Sequence, residues 1–327
     1  QFDEGSGTAV ADSTSNNNNG TASSSSLWVG SGTFTAGLGT VVMAKSGTQN
    51  IAYRHQDADF HNLTINAGST TQLLSIDGTG SLQDINENLT VNGILKSHPD
   101  STSSRIRLRD PNATFTVGSS VKTTALADLA RIQFDGNGTF NVPELTTKRI
   151  FTSSSGTIVS ASGPLTVTEE LQVDSGTTFN ANGNTISCAF LDVDNGATVD
   201  LRNSTYTGRT GGSLNRFDFF HCGSSVSLLT GNTTITGTTS PLTQAFFPAG
   251  ANLEIVGDLS NMQIRDEGDI TVVGSVVNCT LEDDKCNIRQ FHHTLDTQQL
   301  LDADEAGDDD LKLEKPALDN AVELQTG

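Results

Sequence analysis

An apolar, variable, apolar triplet recurs along the chain at a nearly constant interval. It reads Leu63-Thr64-Ile65, Leu89-Thr90-Val91, Phe115-Thr116-Val117, Phe140-Asn141-Val142, Leu165-Thr166-Val167, Leu191-Asp192-Val193 and Phe217-Asp218-Phe219, at steps of 26, 26, 25, 25, 26 and 26 residues. A second track with the same step runs through Ile106-Arg107-Leu108, Ile132-Gln133-Phe134 and Thr157-Ile158-Val159. Successive side chains of an extended strand point to opposite faces, so the apolar members line an interior and the polar members face water. One triplet buries too little surface to stand alone, and a fixed step over many units marks a stacked array. The pattern predicts an all-β fold, a β-solenoid (β-helix) with 25–26 residues per rung. Its inward ladder would be Leu63, Leu89, Phe115, Phe140, Leu165, Leu191 and Phe217, with Thr64, Thr90, Thr116 and Thr166 stacked outside. A β-sandwich is the competing architecture, but it requires no constant step.

A rung of this length holds about three short strands. The corners between them are marked by Asn-Gly at 92–93, 137–138, 182–183 and 195–196 and by Asp-Gly at 77–78 and 135–136. Such dipeptides tolerate positive φ. From about Phe34 to about Leu281 the chain accommodates roughly nine or ten rungs, a rod on the order of 45 Å long. Beyond Phe217 the step is irregular, although Leu253-Glu254-Ile255 and Ile270-Thr271-Val272 keep the inward alternation. Phe217, Phe219, Phe220, Phe246 and Phe247 are expected to thicken the core or to form a subunit contact.

Outside the solenoid, assigned to 28–280, two segments differ in character. Residues 1–27 form a Ser/Asn-rich arm in which 12–26 hold no large apolar side chain. Burial there cannot offset the entropy of ordering, and a flexible linker or docking arm is expected. Trp28, the sole Trp, is expected either to cap the first rung or to serve as an exposed contact residue. Residues 281–327 carry thirteen Asp and Glu against four Lys and Arg. Ile288, Phe291, Leu295, Leu300 and Leu301 have approximate helical spacing, predicting an amphipathic helix over 283–303 before an acidic tail. The chain opens at Gln1 without a charged and apolar leader, as expected of a processed, truncated or excised chain.

Composition narrows the functional classes. Thirty-eight acidic and eighteen basic side chains give a formal net charge of −20, which repels phosphate backbones and anionic headgroups. Nucleic-acid partners are therefore excluded from the expectation, and no apolar run is long enough for a membrane span. Cys188, Cys222, Cys279 and Cys286 lack metal-site spacing and read as small buried hydrophobes, with a Cys279–Cys286 loop as the extracellular alternative. Eight Asn-x-Ser/Thr sequons are present, as chance allows in so Asn- and Thr-rich a chain.

The acidic pairs Asp57 and Asp59, Asp192 and Asp194, and Asp283 and Asp284 are the candidates for a glycan-cleaving carboxylate pair. Leu191 and Val193 point inward, however, so Asp192 and Asp194 read as the solvent row of a strand. Arg105, Arg107 and Arg109 place three guanidinium groups on one strand face, suited to a sulfated or carboxylated host glycan or to ion pairing between rungs or subunits. The six histidines show no ligand spacing, and no nucleophile triad or phosphate loop is found. No cofactor, metal or intrinsic enzyme activity is expected.

Phe60-His61-Asn62-Leu63-Thr64-Ile65-Asn66, its echo Asn88-Leu89-Thr90-Val91-Asn92, and Trp28-Val29-Gly30-Ser31-Gly32-Thr33-Phe34 resemble repeats of β-helical virion proteins of tailed phages. Similar segments occur in bacterial surface adhesins. The resemblance covers roughly residues 28–200. It implies a tail fibre, spike or capsid-attached decoration for assembly or attachment, partnered by other virion proteins and forming a homo-oligomer, of which a trimer is one expected form. It implies no catalytic residues. A cell-surface adhesin or filament subunit is the second expectation and a glycan-cleaving tailspike the third.

Overall fold

Runs of Thr, Val, Ile, Leu and Phe only three to nine residues long, broken by Gly, Asn and Asp, favour short strands joined by tight corners. A computed structural model describes residues 9–10, 20–21, 38–53, 59–75, 82–210, 215–218, 226–247, 252–266, 269–281 and 287–290 of the 327. From Thr40 onward the strands pair in parallel and wind into a β-solenoid of about nine turns. The sole helical element among the described residues is the 3-10 turn Pro99–Ser101.

Three faces repeat in each turn. The first stacks Thr40–Met43, Asn62–Ile65, Leu89–Val91 and Phe115–Val117, and then, as a separate sheet, Gly138–Val142, Thr157–Ala161, Thr178–Asn180, Thr198–Asp200 and Ser227–Leu229. The second begins with Gly47–Tyr53, Ser69–Ser75 and Ile94–Ser97, and continues through the front halves of Leu145–Ser153 and Leu165–Val173 to Thr185–Cys188, Thr205–Gly208 and Thr233–Thr236. The third runs as one ladder from Leu82–Ile85 through Arg105–Leu108 and Arg131–Asp135, then through the rear halves of Leu145–Ser153 and Leu165–Val173. It continues with Phe190–Val193, Arg216–Asp218, Thr243–Phe247, Met262–Asp266 and Thr280–Leu281.

The inward residues meet at the axis and exclude water. Leu63, Leu89, Leu165, Leu191 and Phe217 are almost wholly buried, Phe140 nearly so, and Phe115 packs half-buried against them. Rings from different faces interlock, Phe134 lying 5.3 Å from Phe140 and Tyr206 4.9 Å from Phe217, and along the third face Phe217 lies 6.2 Å from Phe247. Burying each such side chain stabilises the rod by roughly 1.5–3 kcal/mol. Phe217 and Phe247 thus fill the core, whereas Phe246 keeps some exposure on the outer third face. Phe219 and Phe220 lie outside the described residues.

The seven-residue ladder is corrected by the register. Leu63 pairs with Leu89 and Leu89 with Phe115, as the 26-residue step requires, and Thr64, Thr90 and Thr116 stack outside. Between Asp135 and Asp200 the turns shorten: Phe140 pairs with Val159, Val159 with Phe179 and Phe179 with Val199, at steps of 19, 20 and 20 residues. A 25-residue stride there is one turn plus one strand, so it walks around the prism. Phe140 lies on the first face, Leu165 on the second beside Leu145 and Ile186, and Leu191 on the third between Leu171 and Phe217. Thr166 accordingly pairs with Thr146 and Ser187 instead of joining the other threonines. On the second track, Ile106 does pair with Ile132, but Val159 belongs to the first face.

Backbone geometry at the corners explains two of the sequons. Asn182, Asn203 and Asn232 adopt φ of 50°, 57° and 52° between the first and second faces. Two residues on from Asn203 and Asn232, Thr205 and Thr234 pair in an outward Thr row, while Ser204 and Thr233 are buried beneath the corner. Asn203-Ser204-Thr205 and Asn232-Thr233-Thr234 are thus corner sequences of the rung. Asn182-Gly183 has positive φ at both residues, as such a dipeptide permits.

Two expectations for the ends are modified. Gly20–Thr21, within the segment read as a linker, pairs antiparallel with Ala9–Val10. Asn287–Gln290, within the predicted helix 283–303, is a strand on Asp269–Val273, because Ile288 continues the Leu253–Ile270 ladder. The rest of 283–303, the acidic tail and Trp28 lie outside the described residues. Cys188 and Cys279 are free thiols, and Cys222 and Cys286 lie outside the described residues.

Candidate functional site: the outer wall of the third face

Alternation along each strand of the third face sends one residue set inward and leaves two outward columns that the parallel register aligns from turn to turn. One column stacks Arg105 on Arg131. The Ile132–Ile150 pair places Arg149 next above Arg131, and Arg149 pairs with Glu170. Phe190 and Arg216 continue this column. The neighbouring column is Asp84, Arg107, Gln133, Phe151, Gln172, Asp192, Asp218, Phe246 and Arg265.

At the base of the wall, Asp84 holds Arg107 through a two-pronged interaction. Arg107 Nε donates to Oδ1 at 2.8 Å and Nη2 to Oδ2 at 2.6 Å. Arg109 Nη1 donates to the same Oδ2 at 3.0 Å, and Asp135 lies 3.2 Å from Arg107. The Asp84 hydrogen bond raises the Arg107 pKa above its ordinary value, opposed by burial. Two of the three arginines predicted to share a strand face therefore make inter-rung ion pairs. Arg105 stands in the adjacent column, below Arg131.

Arg131 is the unusual member. Its guanidinium lies 4.3 Å from the centre of the Phe151 ring, its Nε is buried without a hydrogen-bond partner, and it makes no ion pair among the described residues. Burial first, and then the charges of Arg105 and Arg149, lower its pKa to about 10, so it remains a cation at neutral pH. Arg149 pairs with Glu169 at 2.8 Å and lies 3.8 Å from Glu170.

Higher up, carboxylates dominate. Arg216 contacts the wholly buried Asp218 at 2.7 Å and lies 5.7 Å from the Phe190 ring centre. Burial pushes the Asp218 carboxyl up to about 7, with Arg216 opposing and neighbouring Asp192 reinforcing the shift. Burial likewise raises Glu170 and Asp174, helped by Asp192 and Asp194 respectively. Asp192 and Asp194 do occupy the outward row expected of them. Asp59 is exposed, whereas Asp57, Asp283 and Asp284 lie outside the described residues.

Arg131, Arg149, Phe151 and Asp218 were not singled out by sequence. Arg131 had a visible signal, since it follows Arg105 by the same 26 residues that separate Ile106 from Ile132. Phe151 and Arg149 had none, because their turn is shorter. Elsewhere, a shallow groove lined by Asn66, Ala67, Asn92, Gly118, Ser119 and Ser120 carries no ionisable side chain. Among the described residues no group of three or more His, Cys, Asp or Glu is placed to hold a metal, and no helix is long and apolar enough to cross a membrane. The fold and this wall define a parallel β-solenoid with a charged, aromatic outer face. No family model, curated protein or solved structure matches the chain.

Proposed function

We propose that the chain is a structural element of a virion, a tail fibre, spike or capsid-attached decoration used for assembly or host attachment. The observation that carries this reading is the third face, a single ten-strand ladder whose inner side is buried apolar core and whose outer side is a wall of in-register charged and aromatic side chains. Such a ladder is stiff along its axis because each turn is hydrogen-bonded to the next, and it presents a long surface that needs no rearrangement to bind. The test is cryo-electron microscopy of the native assembly. Density for this solenoid at fixed stoichiometry in a particle supports the reading. Density confined to the cell envelope instead favours an adhesin or filament subunit.

A glycan-cleaving appendage is the second reading, favoured by the register pair Asp192 and Asp218, of which one titrates near neutrality. Glycosidic cleavage requires two neighbouring carboxyl groups, one of them protonated to act as the acid. Asp218 has no exposed surface to offer a sugar ring, which places this reading second. Release of new reducing ends from host polysaccharide, lost in Asp192→Asn, would establish it.

A further inference from the structure

The lower part of the wall combines three features that do not stabilise the fold together. Arg105, Arg131 and Arg149 occupy one column of adjacent parallel strands, about 4.8 Å apart at the backbone. Like charges on directly neighbouring strands repel. The middle guanidinium is half-buried on Phe151, with its Nε enclosed without a partner, and no carboxylate among the described residues pairs with the outer edge of its fork, where an anion would offset the cost of burying the charge. Of the nearby carboxylates, Glu169 and Glu170 on the second strand above Arg131 engage Arg149, and Asp174 lies just past the end of that strand, so none pairs with Arg131. Asp84 and Asp135 are already engaged by Arg107. An inverse placement, with an acid at 131, would have been the stabilising choice for a merely structural wall.

We propose that Arg131, stacked on Phe151 and flanked by Arg105 and Arg149, is a binding subsite for an anionic sugar of an acidic polysaccharide. The planar guanidinium fork receives a carboxylate or sulfate in its plane while its face rests on the ring. Phe151 and Gln133, adjacent in the next column, offer an apolar surface and an amide to the sugar body. An extended glycan laid along the column meets cations at successive turns, as a linear polyanion with repeated charges requires. The overall charge of −20 opposes nucleic acid and leaves this strip as a local exception. The subsite rests on the attachment reading and specifies what is attached.

The test measures binding of the full chain to immobilised heparin, polygalacturonate, dextran and single-stranded DNA at two salt concentrations. Salt-sensitive binding to heparin or polygalacturonate but not dextran is expected, with preference between the two identifying sulfate or carboxylate as the recognised group. Arg131→Gln is expected to weaken that binding at least tenfold while the melting temperature stays level or rises. Arg131→Lys, which keeps the charge and loses the planar fork, should lose part of it, and Phe151→Leu about threefold or more. Arg107→Gln should leave binding unchanged and lower the melting temperature. Full affinity in a folded Arg131→Gln variant, equal binding to dextran, preference for DNA, or binding to none of the probes each overturns the subsite. Those outcomes leave the virion reading standing, since it is judged separately by the location of the solenoid in particles.

Discussion

The lower and upper halves of the third face share one backbone ladder but carry opposite chemistry. Below, around Arg107, cations and carboxylates interlock within hydrogen-bond distance, and the pairing raises the arginine pKa. Above, Glu170, Asp174, Asp192 and Asp218 crowd one another, and burial holds three of these carboxyls above their ordinary range. The difference shows that the ladder tolerates either arrangement because its stability comes from the inward residues. The outer columns are therefore available for selection by what they contact.

The largest expected effect lies in the lower half. Asp84→Ala strands two guanidinium groups around a site whose acid is only 8% exposed, and should destabilise the rod by about 3 kcal/mol in urea unfolding. Replacing Asp84 and Arg107 together by Leu and Met should recover most of that loss. If the single variant is neutral, the interlocking of the lower half is not structural.

The upper half is probed by pH. A carboxyl at about 7 in the fold, against 3.8 as its ordinary value, binds a proton in the native chain that the unfolded chain lacks between those values. Its contribution to stability is fully present below pH 4 and is lost as the pH rises through 7. Over that window the slope attributable to Asp218 should approach about −1.4 kcal/mol per pH unit, and Asp218→Asn should flatten it. Glu170 and Asp174 act in the same direction, whereas Asp200, held low by Arg202, acts in the opposite one at more acidic pH. An unchanged slope in Asp218→Asn would remove the electrostatic contrast between the halves.

The smallest effect is expected at their junction. Arg149 is 46% exposed, so its pair with Glu169 is screened by water, and Arg149→Gln should change stability by no more than about 1 kcal/mol. A much larger loss, read by the same urea titration, would mean that the upper carboxylates depend on this arginine.

The alternation of inward and outward residues was legible in the sequence, as were the solenoid and its polar corners. Face assignment was not. A strand's period of two says that Leu165 points inward, but nothing in it says that Leu165 lies on the second face and Phe140 on the first. From Phe140 to Leu191 the stride stayed near 25 because one shortened turn plus one strand spans it, whereas Leu191 to Phe217 is one true turn. Ile288 fitted a helical spacing as well as the strand it forms, since a short apolar pattern does not discriminate between the two periods. For the same reason the Arg131 stack was half visible: Arg105 lay one true step away, whereas Phe151 lay on a turn of different length.

Turn length itself has a consequence for how such a chain can change over generations. Residues per turn range from 17 between Leu253 and Ile270 to 29 between Val199 and Leu228, yet each turn adds one strand spacing to the rod. Every corner therefore restarts the alignment of the strand that follows. Insertions and deletions at corners enlarge or trim a loop without disturbing the turns above, whereas a single residue added inside a strand turns its inward set to solvent. The molecule is in this sense modular in its text, with corners as the positions where length is free to drift and strands as the positions where it is not.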